Sequence, residues 1–365
     1  MLFCEKIRQI NRKRNYFIKK LKYNANLYLA AKRWNYHCKE FPLDKTRTIL
    51  LLRNDGKIGD AIISTCMLKT LCDAGYKIDI LANEENSFIF SNNPYVRNLY
   101  LTNTGSIKHQ SKFESHIPEN ILYILKENAY DLLIDTGVWD TALYMPKLIS
   151  EIKPKQTLGF NKPTWLKQYT TNINFNYHDK HITGIYRHII EKLNITIERH
   201  LEYDVYYPQS ILDDMRTSSF FVNQQKNILI NPYASHDDRS LSETQISEII
   251  KGLSSTGDNI IVLDYKKSLT KSDYPHAKLL YTPTLYHVMA AVFLSDLVIT
   301  PDTSLVHISA MYNKKLIGIY RDVSKNNLLW GPGYKNGHQI FSAHHRLYQD
   351  MSVIKKVIEL KKALI

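Results

Sequence analysis

The stretch Thr48–Thr65, TILLLRNDGKIGDAIIST, decides how the rest of the chain is read. Its apolar run Ile49–Leu52 has the character of a strand buried on both faces. Asn54, Asp55, Gly56 and Gly59 interrupt that run, and Ala61–Ile63 resume an apolar pattern at helical spacing. A strand that feeds a helix through a short polar loop is half of a βαβ unit, from which parallel sheets are built. Ligands of open α/β sheets gather outside the carboxyl ends of the strands. The loop is therefore also a candidate site.

The alternation continues downstream. A helix running on to Gly75 is expected, then strands over Lys77–Asn83 and Val96–Thr102, a helix over Pro118–Ala129 and a strand over Tyr130–Gly137. Helices follow over Trp139–Ile152 and near residues 181–195. The pattern restarts at Asn227 with a strand, a helix over Ser242–Gly257 and a strand over Asn259–Tyr265. Ala277–Pro283 is a further candidate strand. A helix over Thr284–Asp296, a strand over Leu297–Asp302, a helix over Ser304–Asn313 and a strand over Lys315–Asp322 complete the repeat. The fold class is α/β, with two parallel-sheet domains whose strand ends face a cleft. The polar, turn-rich segment at about 200–226 is the linker candidate. The amphipathic helix Met351–Ile365 is able to dock on either domain.

Bulk properties fit this division. A chain of 365 residues that is 44% hydrophobic and 23% charged is globular and long enough for two domains. It holds no run of eighteen apolar residues, and its basic start lacks the apolar core of a signal peptide, so a cytoplasmic chain is expected. Cys4, Cys38, Cys66 and Cys72 have no zinc-site spacing and read as reduced thiols. The net charge is +13, of which +9 falls in residues 1–40. There, basic residues interleave with Ile7, Ile10, Phe17, Ile18, Leu21, Tyr28, Leu29 and Trp34. A basic helix with aromatic residues suits an anionic membrane surface. The same pattern is met by a helix packed on the body of the protein with its charges in water. No nucleic-acid-binding module is present, and no nucleic-acid partner is expected.

Three strand-end loops carry chemistry. In the first, Gly56 and Gly59 allow close approach, and Asp60 opens a helix where amide N–H groups stabilise a carboxylate. Asp60 is either a simple cap or a carboxylate held for use; Asp55 is a turn former. The dinucleotide fingerprint G-x-G-x-x-G is absent. The second loop, INPYASHDDRSLS, places the Ser235 hydroxyl and the Arg239 guanidinium after a strand, a combination that suits phosphate. Its alternative is a surface loop whose Asp238 and Arg239 charges stand in water. In the third, DLVITPDTSLVHISA, residues Pro301–Ser304 lead into a helix whose first turn offers N–H groups to an anion. Asp302 or Thr303 could equally be its cap, and His307 a core residue.

The third loop and its continuation, DLVITPDTSLVHISAMYNKKLIGIY, resemble the nucleotide-sugar signature of the lipopolysaccharide heptosyltransferases, glycosyltransferase family 9. RNDGKIGDAI, NNPYVRNLYL, IDTGVWDTALYMPKLI…LGFN, NPYASHDDR and LLWGPGY are similar to further family landmarks in the same order, over about residues 47–340. The resemblance implies a GT-B fold: a basic helical extension at 1–47, a Rossmann-like acceptor-side domain at 48–205, a nucleotide-sugar-binding domain at 206–345 and a closing helix at 346–365. It implies inverting transfer of heptose from ADP-heptose to a lipid A–core glycolipid at the inner face of the bacterial inner membrane, with no metal or other cofactor. Asp60 matches the family's general base. Since an ordinary aspartate has a pKa of about 3.9, position must supply much of its effect.

Ser235 and Arg239 match diphosphate contacts, and Thr303, Ser304 and Leu305 match backbone donors to the same phosphates. Asp302 and His307 complete that motif. Lys57 adds positive charge, and Thr282 and Pro283 match the nucleobase position. Arg239 stands where lysine is common, and Ser304 where glycine is frequent. Other expectations compatible with these residues are a family 9 transferase using another nucleotide-sugar for capsule or O-chain assembly, or a non-catalytic nucleotide-sugar-binding protein.

Overall fold

The computed structural model describes residues 2–34, 36–38, 42–103, 113–197, 201–322 and 327–365, with the backbone alone for residues 2–10 and 12. The side chains of Cys4, Lys6, Ile7, Arg8, Ile10 and Arg12, and all of Lys39, lie outside the described residues. The chain divides into two compact units. Unit 1 comprises residues 1–56, 68–175 and 188–196; unit 2 comprises 57–67, 176–187 and 197–365.

Unit 1 begins with helix α1 (Leu2–Arg33), followed by β1 (Thr48–Arg53). The chain then makes α2 (Ile58–Ser64), which groups with unit 2, and returns as α3 (Leu68–Asp73). β2 (Lys77–Asn83), β3 (Asn98–Thr102), α4 (Glu119–Glu127), β4 (Leu132–Asp135), α5 (Met145–Ile152), β5 (Gln156–Phe160) and β6 (Thr171–Ile173) follow, and α6 (Thr183–Lys192) is shared between the units, its first half grouping with unit 2. The six strands form one parallel sheet in the order β3-β2-β1-β4-β5-β6. Ile49, Leu50 and Leu51 of β1 are fully buried at its centre. Each such side chain contributes about 1.5–3 kcal/mol before the entropy of ordering the chain is counted.

Unit 2 continues with α7 (Gln209–Thr217), β7 (Asn227–Ile230), α8 (Glu243–Ser254), β8 (Asn259–Leu263), β9 (Lys278–Leu280), α9 (Leu285–Leu294), β10 (Leu297–Pro301), α10 (Ser304–Met311), β11 (Lys315–Arg321), β12 (Gly337–Ser342) and α11 (Ser352–Leu364). Its parallel sheet runs β12-β11-β10-β7-β8-β9. Counted within each unit, both sheets have the doubly wound order 3-2-1-4-5-6, whose direction reverses between the first and fourth strands. Those switch points are β1/β4 in unit 1 and β7/β10 in unit 2.

Several expectations change in the structure. The helix expected to run unbroken to Gly75 is interrupted by a 3₁₀ turn at Thr65–Met67. Ser64 and Thr65 donate their hydroxyls back to the Ala61 and Ile62 carbonyls, both at 2.7 Å, in competition with the helix backbone. The helix expected over Trp139–Ile152 forms only from Met145, because Pro146 is tolerated in a first turn and not in an interior. The linker candidate contains α7, entered through Pro208 and burying Leu212 and Met215.

The closing helix docks within unit 2. Val353 and Val357 of α11 enter the core cluster that holds Ile246, Ile249 and Leu253 of α8. Gly252 allows this approach, since a Cβ there would lie 2.2 Å from Ile358 Cδ1. Lys361 closes the seam on Asp258 and on Thr256. α8 itself is fixed at its start by a reciprocal Ser242–Gln245 capping box.

Candidate functional site

At the unit 2 switch point, Asn231 joins the two strand ends. Its backbone N–H donates to Ile299 O and its side-chain amide to Thr300 Oγ1, both at 2.9 Å. Beyond it the chain forms the loop that carries Ser235 and Arg239, while β10 ends in Pro301 and Asp302. The Arg239 guanidinium ties the two loops together. One nitrogen donates to Ser235 Oγ, and Nη1 lies 3.3 Å from Asp302 Oδ2. The loop itself stays at the surface, with Ser235, His236 and Asp237 exposed, while the Arg239 side chain is turned inward onto Asp302. Burial raises the Asp302 carboxyl above the ordinary aspartate range, opposed by the charges of Arg239 and Arg321.

Thr303 is the N-cap of α10, accepting from Leu305 N at 3.2 Å. Its hydroxyl also lies 3.1 Å from that of Thr300. The first turn of α10 therefore points its positive end into the corner occupied by Arg239, although the Leu305 N–H is taken by the cap. Of the two proposed caps, Thr303 is the one that forms, which leaves Asp302 to hold Arg239.

Asp60 lies in the first turn of α2, whose N-cap is Lys57; no side-chain hydrogen bond from the N-cap residue closes that end. Lys57 Nζ is 3.7 Å from Asp60 Oδ2. Gly59 explains how α2 reaches the corner. A Cβ on Gly59 would stand 3.0 Å from His307 Cδ2 and 3.9 Å from Ser304 Cα, so the helix carrying Asp60 packs against the start of α10. His307 is the buried floor of this contact, and its Nδ1 has no hydrogen-bond partner. Burial, with His181 nearby, holds its pKa down to about 3, so the ring is neutral at working pH. Gly59→Ala is expected to lower turnover by about tenfold with little change in nucleotide affinity, because the added Cβ displaces α2 or the His307 ring by a few tenths of an ångström, and a misplacement of 1 Å costs about 10². Steady-state transfer assays against nucleotide titrations check this.

Thr282 is buried with its hydroxyl unpartnered, beside exposed Pro283, at the end of β9. In unit 1, Asp55 does more than turn the chain: it pairs at 2.9 Å with buried Arg53, which also donates to Thr136 Oγ1. Gly56 has φ +69°, and a Cβ there would meet Glu85 Oε2 at 2.8 Å.

Sequence reasoning missed His181 and Arg321. His181 Nε2 donates to Gly331 O at 3.0 Å, which fixes the tautomer, and Gly333 leaves room for the ring. The signal for His181 lay in LLWGPGY, read as a family landmark with no contact attached, whose Leu329 carbonyl accepts from Ile182 N.

A family model described as glycosyltransferase family 9 (heptosyltransferase) matches residues 122–357, which include Ser235, Arg239, Thr282 and the whole Asp302–His307 segment. Over 346 residues, 91% of each chain, the sequence is 22% identical to a provisionally named lipopolysaccharide heptosyltransferase 4 of Escherichia coli (strain K12). A glycosyltransferase family 9 structure from Veillonella parvula DSM 2008 superposes with a TM-score of 0.70 at 14% identity, covering 89% of this chain and 98% of that one. The E. coli heptosyltransferase WaaC with ADP superposes with a TM-score of 0.63 at 17% identity, covering 87% and 98%. These likenesses establish the GT-B fold class expected from the sequence. With two doubly wound sheets, a strand-end corner built from Arg239 and the start of α10, and a family match across that corner, the chain belongs to glycosyltransferase family 9, the heptosyltransferases, and is a glycosyltransferase.

Proposed function

We propose that this enzyme transfers a heptose from ADP-heptose, with inversion, to the inner core of a lipopolysaccharide or lipooligosaccharide at the inner face of the inner membrane. Asp60 takes the proton of the acceptor hydroxyl as that oxygen bonds to the anomeric carbon. The bond from that carbon to the diphosphate oxygen breaks, and ADP leaves with the electron pair. Arg239, Ser235 and the first turn of α10 at Thr303–Ser304 take up the charge on the leaving group, with Lys57 adding to it. No metal is called for in this scheme. Asp302 holds Arg239 in place, Leu305 and His307 form the floor beneath, and Thr282 with Pro283 receives the nucleobase. Residues 206–345 supply the nucleotide-sugar contacts, and the acceptor side falls to residues 48–205.

The observation that carries this reading is Arg239, held at once by Ser235 and Asp302 beside the capped start of α10. The ADP-heptose analogue bound to WaaC in a related structure is consistent with the donor class. A thermal-shift comparison of ADP-heptose, ADP, UDP-sugars and CMP-sugars tests it. A donor at about 100 times its Kd adds about 2.7 kcal/mol and raises Tm by about 5–10 °C. Selective stabilisation by ADP-heptose is expected. A preference for UDP- or CMP-sugars would remove heptose from the assignment.

A further inference from the structure

Helix α1 has two apolar faces, of which unit 1 uses one. At about 100° per residue, Tyr23, Leu27, Ala30 and Trp34 fall on one side. Leu27 and Ala30 are buried, Tyr23 donates its hydroxyl to Thr141 O at 2.7 Å, and Trp34 O accepts from Gln168 Nε2. Phe17, Ile18, Leu21, Ala25, Tyr28 and Leu29 fall on the opposite side, within an arc of about 120°. That arc is open to solvent, with Phe17 62%, Leu21 52%, Tyr28 54% and Leu29 60% exposed. From Lys13 to Trp34 the helix carries seven basic residues and no acidic one.

The exposed arc continues onto the body of unit 1. Leu21, Asn24, Ala25 and Tyr28 border a shallow groove of about 570 Å³ closed by Pro163 and Trp165. The Tyr28 and Trp165 rings meet edge to face at 5.6 Å, and Trp165 remains 39% exposed. Aromatic residues with an apolar body and a polar edge favour the headgroup level of a bilayer.

We infer that α1 and the Pro163–Trp165 loop form one docking face for an anionic bilayer surface. The apolar arc enters the acyl boundary, and Arg14 and Lys32 within it, with Lys13, Lys22 and Arg33 at its edges, reach up to the lipid phosphates. Charge decides between this occupant and a second copy of the chain. An isologous contact would set two sets of positive charges against each other, whereas an anionic surface neutralises them. The inference deepens the reading of a glycolipid acceptor, which such a surface would present, but the binding it describes does not require transfer.

Co-sedimentation of the full chain with phosphatidylethanolamine–phosphatidylglycerol vesicles, against phosphatidylcholine vesicles, tests it. Binding to the anionic vesicles is expected to be at least about tenfold tighter and to weaken as salt rises. The double variants Phe17→Glu/Leu21→Glu and Arg14→Glu/Lys22→Glu should each lose about tenfold or more, with an unchanged Tm because these positions are exposed. Both should retain transfer to a water-soluble, delipidated acceptor. Equal binding to neutral and anionic vesicles, or unchanged binding by the variants, overturns the inference. So does a wild-type dimer without vesicle affinity that Phe17→Glu/Leu21→Glu converts to monomer. Failure of the heptose reading would look different: no transfer by any variant, with vesicle binding intact.

Discussion

Asp60→Asn is expected to lower turnover by about 10²–10⁴ while leaving ADP affinity within about twofold, as removal of a positioned general base does. The substitution keeps size and hydrogen-bonding shape and removes only the capacity to accept a proton. Nor should it unfold α2, whose N-cap is Lys57 and whose residues Ala61–Ser64 are buried independently of the carboxylate. Lys57, 3.7 Å away and largely exposed, loses a surface partner, an interaction worth little to stability. Transfer rates with saturating donor, set beside a calorimetric titration with ADP, separate the two quantities. Turnover within a few-fold of wild type would remove Asp60 from the role of base, whatever the fate of the donor site.

Arg239→Ala is the second large effect, and it should show in the donor. The guanidinium ties Ser235 to Asp302 and is a positive side chain at the start of α10. Removing a preorganised donor to developing charge costs about 10²–10³ in rate. Here ground-state affinity should fall as well, because the diphosphate is charged before the reaction begins. The carboxyl of Asp302, already raised by burial, rises further once the opposing charge of Arg239 is gone. Arg239→Lys is expected to recover part of the loss, since it keeps the charge and gives up the planar fork. Measured kcat/KM and ADP affinity for the three proteins check the order Arg, Lys, Ala. Equal values for the Ala variant and wild type would place the diphosphate elsewhere.

Much of this was legible in the sequence because the central strands are buried on both faces. Continuous apolar runs such as Ile49–Leu52 and Leu297–Ile299 announce themselves, and the candidate site residues lie just beyond them. Edge strands were harder to read. β6 spans three residues and β12 mixes polar with apolar positions, so neither leaves a period to find. Local competition hid other boundaries: the hydroxyls of Ser64 and Thr65 break a helix whose apolar pattern runs on, and Pro146 postpones another. Arg239 and Asp302 were both visible as candidates, but a spacing of sixty-three residues says nothing of a contact between them. The role of Gly59 was equally hidden, because what it makes room for is a histidine ring far along the chain.

The interleaving of the two units bears on how the chain is made. Residues 57–67 leave the ribosome early, yet the partners of α2 at Ser304 and His307 are roughly 240 residues behind, or about 12–50 s at 5–20 residues per second. Through that interval the apolar side chains Ala61–Ile63 and Met67 wait without their final neighbours. A cut near residue 205 would therefore part residues 57–67 from the bulk of the unit they group with. Synthesis must run to α10 before the helix that bears Asp60 meets the Ser304 and His307 surface that Gly59 packs against.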